Sequence, residues 1–235
     1  EFVEYVKGSH WSAKRFDGYW QKDRPYLDGY KALMIKGPVA VPGIQGGQFD
    51  AEFRGRSPAE RDQLVKAMGD KVTVHEGPWI TNIQLYANTE KKPFDDVRVR
   101  QALTLAIDRW GGSESMSKIS LLKGVSGTFR PGAKWSLPKE ELVKLPGFWT
   151  DIEKSRAEAR RLLKEAGQEN LKFKLLNRQL GQPFQPAGIF VVDQWRRIGI
   201  QVEHLEIETS PYFEAIQSGN FDVAVNNISD FADDP

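Results

Sequence analysis

The sequence predicts an α/β fold with a mixed, largely parallel sheet flanked by helices, preceded by a β-rich segment. From residue 150 onward, segments with helical periodicity alternate with short apolar runs, and glycines stop the helices at Gly167, Gly199 and Gly219. Alternation of strand and helix implies parallel strands joined by right-handed crossovers. Residues 1–88, in contrast, consist mainly of strand patterns separated by turns.

The β-rich segment contains a predicted hairpin and one well-marked helix. Residues 2–6 and 11–16 flank a Lys-Gly-Ser-His turn, which is typical of a hairpin. Ser57 begins a capping box with proline at the first helical position, so a helix should run over residues 58–68 and stop before glycine. Further strands are predicted over 32–35, 71–75 and 80–87.

The segment after Asn88 predicts a capped amphipathic helix. Asp95 can accept hydrogen bonds from the free N–H groups of the first turn, and Phe94 and Val99 have the spacing of a hydrophobic staple. Apolar residues then recur at helical spacing, which predicts one buried face. The residues of this face are Val99, Ala102, Leu103, Ala106 and Ile107.

The rest of the chain contains one irregular stretch, followed by a regular series of helices and strands. Residues 111–149 are rich in Gly, Pro, Ser and Trp, which indicates a short helix near 116–122 and then a long loop. Thr150 and Glu153 form a second capping box, which opens a helix that ends at Gly167. Strands are expected over 171–176, 200–207 and 221–225, with helices near 186–198 and from Ser210 to Gly219.

Composition excludes several classes of function. The 33 basic and 32 acidic side chains give a net charge of +1 without a long run of either sign, which argues against a nucleic-acid partner. No apolar run approaches the length of a transmembrane segment. Cysteine is absent from the sequence, so disulfides, thiolate metal sites and a cysteine nucleophile are excluded.

Signatures of catalysis are also missing from the sequence. It contains no phosphate-binding loop, no dinucleotide fingerprint and no nucleophile elbow. The three histidines are far apart, and His204 interrupts the alternation of a strand, as a partly buried, hydrogen-bonded histidine or a bulge would. The sequence therefore indicates a protein that is not an enzyme, with no catalytic residue, no metal site and no cofactor.

Polar residues follow two predicted strands at the edge where open parallel sheets bind ligands. Asn177 and Arg178 follow the first strand, and residues 226–230 follow the last one as a loop. Both segments can donate and accept hydrogen bonds, and they carry one charge of each sign. The predicted ligand-binding residues at this edge are Asn177, Arg178, Asn226, Asn227, Ser229 and Asp230.

Six of the seven tryptophans divide into two predicted groups. Trp195 lies on an apolar helical stripe and Trp20 stands beside Tyr19, so both are predicted to lie in the core. Four others occur in stretches rich in Gly or Pro, where exposed aromatic side chains can line a cleft: Trp79, Trp110, Trp135 and Trp149. Trp135 is the strongest candidate because Arg130 is near it, and both are predicted to contact ligand.

Four segments in order resemble the family 5 extracellular solute-binding proteins, the receptors of peptide- and nickel-type ABC importers. The most specific segment is 88–109, which includes Pro-Phe-Asp-Asp-Val-Arg-Val-Arg and Ala-Ile-Asp-Arg. The others are residues 2–28, the helix over 157–167 that ends in Glu-Ala-Gly, and Phe-Asp-Val-Ala at 221–224. The resemblance implies a periplasmic binding protein-like lobe and a protein located in the periplasm, or anchored outside the membrane as a lipoprotein.

The resemblance also implies how the chain works. Residues 1–88 would belong to the first lobe and 89–235 to the C-terminal lobe, truncated at its end, since family members are roughly twice this length. Such receptors bind a small solute between two lobes and deliver it to the permease subunits of the transporter. Peptide-binding relatives place a Trp and an acidic residue where this chain has Ile228 and Phe231, so the ligand stays open: peptide, opine, nickel chelate, sugar or another solute.

The alternative from another class is a secreted hydrolase that uses a carboxylate pair in the same cleft. Two carboxylates about 5–10 Å apart, flanking an open pocket, would favour it. Polar loops without such a pair would favour binding.

Overall fold

The computed structural model describes residues 1–35, 37–77 and 81–229, and the chain forms two compact units. Unit 1 spans Glu1–Phe53, and unit 2 begins at Arg54. The predicted boundary after residue 88 separates the two lobes of a complete receptor, and it stays a prediction. Within the described ranges, no helix combines the length and the hydropathy that crossing a membrane requires.

Unit 1 contains a three-stranded antiparallel sheet and one helix. The order is β1 (Phe2–Val6), β2 (His10–Lys14) and β3 (Gly29–Leu33), and α1 spans Gly37–Gln45. The predicted hairpin is confirmed, whereas the third strand begins three residues before the predicted 32–35. The prediction of Trp20 as a core residue is wrong: 79% of it is exposed, and its ring contacts Tyr19 in the loop before β3.

Unit 2 contains a four-stranded mixed sheet. Its strands are β4 (Thr81–Ala87), β5 (Lys172–Arg178), β6 (Gln201–Ile207) and β7 (Val223–Ser229), in the spatial order β4-β7-β5-β6. β5 runs parallel to both β6 and β7, whereas β4 runs antiparallel to β7. The predicted three-stranded parallel unit over residues 171–225 is therefore confirmed.

Seven α-helices of unit 2 surround or precede this sheet in the described chain. They are α2 (Pro58–Met68), α3 (Val97–Leu105), α4 (Arg109–Ile119), α5 (Lys139–Leu142), α6 (Ile152–Glu165), α7 (Phe184–Arg196) and α8 (Thr209–Gln217). α7 connects β5 to β6, and α8 connects β6 to β7, so both predicted crossovers are present. A short 3₁₀ turn, Gly69–Lys71, follows α2. The strand predicted over 71–75 is wrong, because residues 72–77 have no strand partner.

Several predicted helix starts are displaced. The N-cap of α3 is Asp96 rather than Asp95, and its carboxylate accepts from the N–H of Arg98 at 2.8 Å. The N-cap of α6 is Asp151 rather than Thr150. In both cases the next residue along the chain is an aspartate, which is among the best N-cap residues. α8 begins without a side-chain cap, and the helix predicted near 116–122 begins at Arg109.

The core of unit 2 lies between the sheet and helices α3, α6 and α7. All five residues of the predicted apolar face of α3 are buried. Trp195 is fully buried as predicted, and its ring packs edge-on against Phe173 with a centroid distance of 5.1 Å. Phe173 in turn packs against Phe94 at 5.4 Å. This core holds β5 and β7 in place, so their carboxyl ends form a fixed edge.

Replacing Ser57 with alanine is expected to lower the stability of unit 2 by about 1 kcal/mol. The Ser57 hydroxyl accepts from the backbone N–H of Glu60, and the Glu60 carboxylate accepts from the backbone N–H of Ser57 at 3.0 Å. The change leaves one N–H group at the start of α2 without its cap. Urea denaturation followed by circular dichroism measures the effect. Ser115→Ala, on the exposed side of α4, is the control; an equal loss in both variants would contradict the prediction.

Candidate functional site

The predicted site residues lie at the carboxyl ends of β5 and β7. Asn177 and Arg178 are the last two residues of β5, and the parallel pairing of β5 with β7 brings their ends to one edge. The prediction of 226–230 as a loop is wrong for residues 226–229, which belong to β7. Pairing with β4 extends β7 beyond its predicted end, since Asn226 lies opposite Gln84 and Asn227 opposite Ile83.

Arg178 is the centre of the site. Its Nη2 donates to Oδ1 of Asn227 at 2.5 Å, which joins the ends of the two strands. Its guanidinium carbon lies 3.7 Å from the ring centroid of Phe184 in α7 and 5.5 Å from those of Tyr212 and Phe213 in α8. Guanidinium groups are attracted to aromatic faces at these distances. We call these five residues the Arg178 cluster.

The electrostatics of the Arg178 cluster leave its positive charge without a matching negative one. Burial lowers the pKa of Arg178, and the neighbouring charge of Arg54 adds to the decrease, while the Tyr212 hydroxyl opposes it. Nε of Arg178 is buried and has no hydrogen-bond partner within the described part of the chain. No described carboxylate forms an ion pair with this side chain. A partly buried, incompletely paired cation is costly, so the cluster favours a negatively charged ligand group.

Asn177 forms hydrogen bonds to the backbone of two cluster residues, Phe184 and Arg178. It is fully buried, its Nδ2 donates to the Phe184 carbonyl at 2.8 Å, and its Oδ1 accepts from the N–H of Arg178 at 2.9 Å. Its Nδ2 also lies 3.1 Å from Nε2 of His204. The backbone of α7 approaches closely here: a Cβ on Gly188 would lie 2.4 Å from His204 and 2.5 Å from Asn177. The structure therefore gives Asn177 a positioning role.

His204 and Glu206 lie beneath this arrangement on β6. His204 is partly buried and hydrogen-bonded, as its place in the strand predicted. Burial lowers the pKa of His204, and the charge of Glu206, with Oε1 3.9 Å from Nε2, opposes this decrease. The neutral imidazole can accept from Asn177, which keeps the amide turned toward Phe184. These contacts hold the Asn177 side chain in one orientation.

Three residues of the cluster were not predicted from the sequence. Phe184, Tyr212 and Phe213 stand in the first turns of the helices that follow β5 and β6. Tyr212 is fully buried and donates to the Val225 carbonyl at 2.9 Å, which ties α8 to β7, and burial raises its pKa to about 12. The signal in the sequence is the aromatic content of these first turns, which face the carboxyl edge of the sheet.

The other candidates are placed as follows. Ser229 is the last residue of β7, and Asp230, Phe231 and Trp79 lie outside the described residues. Arg130 and Trp135 lie between α4 and α5. Trp135 is half exposed, and the Lys134 ammonium lies 4.9 Å from its ring centroid. Among the described residues, no aromatic or cation–π pair joins Trp135 to the Arg178 cluster.

Trp110 and Trp149 are both partly buried, and each contacts other residues of unit 2. The indole N–H of Trp110 donates to the Phe148 carbonyl at 2.8 Å. Trp149 packs against the main core of unit 2.

The hydrolase alternative has no support in this part of the molecule. A cavity of about 450 Å³ lies in unit 2, and no aspartate or glutamate is among the described residues that line it. In the described ranges, no group of three or more His, Cys, Asp and Glu side chains could hold a metal ion. The carboxylate pair that would favour the hydrolase is therefore not found beside this cavity.

Comparison with known proteins gives a consistent result. The model of the family described as bacterial extracellular solute-binding proteins, family 5 Middle, matches residues 1–235. The oligopeptide-binding protein OppA of Salmonella typhimurium is 28% identical over 213 residues, which cover 88% of this chain and 37% of OppA. The dipeptide-binding protein of Escherichia coli is 26% identical over 227 residues, which cover 93% of this chain and 39% of the relative. The chain thus spans about two fifths of the length of these relatives.

Solved structures confirm the predicted fold class. Haemophilus influenzae OppA in complex with a peptide has a TM-score of 0.78 and 22% identity, over 99% of this chain and 45% of that one. Helicobacter pylori DppA in complex with the peptide STSA has a TM-score of 0.80 and 21% identity, over 100% of this chain and 43% of that one. At these identities the structures establish a shared fold.

Proposed function

The chain belongs to the bacterial extracellular solute-binding proteins of family 5, and we propose that it is part of the solute receptor of an ABC importer. The relatives named above bind oligopeptides or dipeptides, so the proposed solute is a peptide or a related small compound. The observation that carries the proposal is the Arg178 cluster, a partly buried cation at the carboxyl ends of parallel strands. Open α/β sheets bind ligands at this edge.

Arg178 is proposed to bind a negatively charged group of the solute. A carboxylate can accept two parallel hydrogen bonds from a guanidinium, and among the described residues only one N–H of Arg178, on Nη2, has a protein partner. The Asn227 amide, held by Arg178, and the neighbouring Asn226 would orient other polar groups of the solute. Ser229 and Asp230 extend this proposed site, and Arg130 and Trp135 form its proposed outer part.

The proposed mechanism is binding without chemistry. Residues 1–88 are proposed to contribute to the first lobe of the receptor and 89–235 to the C-terminal lobe. The solute would contact both lobes and stabilise the closed form, because it binds that form more tightly than the open one. The closed form would then dock on the permease subunits. Its place is proposed to be the periplasm, or the outer face of the membrane for a lipoprotein.

Native mass spectrometry tests this function. A receptor that contains this chain together with the rest of the family's length is purified without denaturation, and the mass of any retained solute is measured. We expect a retained solute, or binding of members of a panel of dipeptides and tripeptides, with one solute per receptor. A receptor that retains nothing and binds nothing in the panel would contradict the proposal that peptides are transported.

The 235-residue chain alone is expected to bind the same solutes far more weakly than that receptor. Affinity in an enclosed site depends on burying most of the ligand surface, and one lobe buries only part of it. Titration calorimetry of both proteins against the same panel measures the difference. A micromolar or lower dissociation constant for the 235-residue chain would show that the second lobe is not needed.

A further inference from the structure

The cavity of unit 2 has properties of a small-molecule site in its own right. It lies between one face of β4 and the helices α3, α4 and α7, and its volume is about 450 Å³. Small-molecule sites commonly range from roughly 300 to 1,000 Å³ and combine apolar walls with a few polar groups. Apolar side chains that line it include Leu103, Ile107, Met116, Phe190 and Trp195. No member of the Arg178 cluster lines it, although Ile83 and Gln84 of its wall pair with Asn227 and Asn226 of β7.

Arg109 is the polar group that distinguishes this cavity. Its Nη1 donates to the carbonyls of Thr104 at 3.0 Å and of Gly147 at 2.6 Å, and its Nη2 donates to the Thr104 hydroxyl at 2.8 Å. A guanidinium has five N–H donors. Within the described residues, the N–H of Nε and one N–H of Nη2 therefore have no protein partner. These two donors have the spacing that a carboxylate needs.

The guanidinium of Arg109 is buried, and no aspartate or glutamate is among the described residues that line the cavity beside it. Burial lowers the pKa of Arg109 to about 10, so it remains positive at neutral pH. Its guanidinium lies 4.8 Å from the ring centroid of Phe148. Gly147 has φ of +87°, and a Cβ there would lie 2.8 Å from Nη1 of Arg109, so only glycine permits this approach.

The other two basic residues on the cavity wall are already engaged. Arg100 donates to the carbonyls of Phe94 and Asp95, and Lys123 forms an ion pair with Glu76 at 3.4 Å. The described lining contains no aspartate or glutamate that could neutralise Arg109. The wall therefore combines one uncompensated cation with a largely apolar surface.

We propose that this cavity is a second binding site, which takes a small carboxylic acid with an apolar body. The carboxylate would accept hydrogen bonds from Nε and Nη2 of Arg109, and the apolar body would lie against Met116, Phe190 and the face of α3. The ion pair would offset the cost of the buried charge, and burial of the hydrocarbon would supply the remaining affinity. This site does not depend on the transported solute.

NMR of ¹³C-methyl methionine tests the proposal directly. The sequence has three methionines, and Met116 lines the cavity, whereas Met34 in unit 1 and Met68 in α2 do not. Phenylbutyrate is titrated as the probe, with phenylbutanol as the matched neutral compound. We expect saturable movement of the Met116 signal alone, with the acid binding about tenfold more tightly than the alcohol, as expected for a charged hydrogen bond.

Two pairs of variants distinguish the contribution of the Arg109 charge to binding from that of the cavity space. Arg109→Gln should abolish the preference for the acid while the alcohol still binds; Arg109→Lys should retain part of the preference. Ser113→Leu, which fills the cavity from α4, should abolish binding of both compounds. Ser115→Leu, on the exposed side of the same helix, should leave binding unchanged.

Several results would overturn the proposal. They are an unmoved Met116 signal, equal binding of acid and alcohol, or binding that survives Ser113→Leu. Movement of Met34 and Met68 together with Met116 would also overturn it, because it would indicate non-specific association. If Arg109→Gln does not fold, the acid–alcohol comparison and the Ser113→Leu variant still decide the question.

Discussion

Replacing Trp195 with alanine is expected to lower the free energy of unfolding of unit 2 by about 3–5 kcal/mol. Trp195 is fully buried and packs edge-on against Phe173 in the centre of the core. Its indole N–H donates to the Leu103 carbonyl at 2.9 Å. This carbonyl is in the last turn of α3, where backbone acceptors lack helical partners. The change therefore creates a cavity and leaves a buried acceptor unpaired.

Urea denaturation monitored by circular dichroism measures this loss. Trp20→Ala is the matched control, since it removes the same side chain from an exposed position in unit 1. We expect the control to change stability by less than about 0.5 kcal/mol, as is usual for surface substitutions. A loss below about 1 kcal/mol for Trp195→Ala would show that α7 does not anchor the core.

Many elements of unit 2 could be predicted because their information is local. The apolar face of α3 and the capping box of Ser57 each occur within about ten residues, and both were found where the sequence placed them. The glycine stops also follow from local geometry, as the positive φ values of Gly167, Gly199 and Gly219 show. Sequence periodicity is sufficient to place such elements, although the starts of α3 and α6 are displaced by one residue.

The site required information that is not local. Sequence indicated Arg178 and Asn227, and the structure joins them by a hydrogen bond. The extension of β7 through Ser229 depends on pairing with β4, which is more than a hundred residues away in the chain. The aromatic rings around Arg178 come from the starts of two different helices. Such contacts are set by the crossovers, so periodicity cannot reveal them.

The second large effect concerns recognition of the solute. In the receptor that contains this chain, Arg178→Met should weaken binding of a dipeptide with a free carboxylate by about 2–3 kcal/mol, roughly a hundredfold. Methionine retains an apolar contact with the Phe184 ring but removes the charge and every donor. Arg178→Lys should lose less, because it keeps the charge but not the planar fork.

The decisive comparison uses the same dipeptide with its carboxylate converted to an amide. If Arg178 binds the carboxylate, the unmodified receptor should prefer the acid strongly, and Arg178→Met should bind acid and amide with similar affinity. Arg196→Met, on the exposed face of α7, is the control and should preserve the preference. Titration calorimetry measures all six combinations of the three proteins with the two ligands. A preference for the acid that survives Arg178→Met would assign the carboxylate to another residue, and the loop with Arg130 and Trp135 would be the next segment to test. Loss of the preference in Arg178→Met alone would identify Arg178 as the group that selects the solute, because the two ligands differ only in the negative charge that its guanidinium would bind.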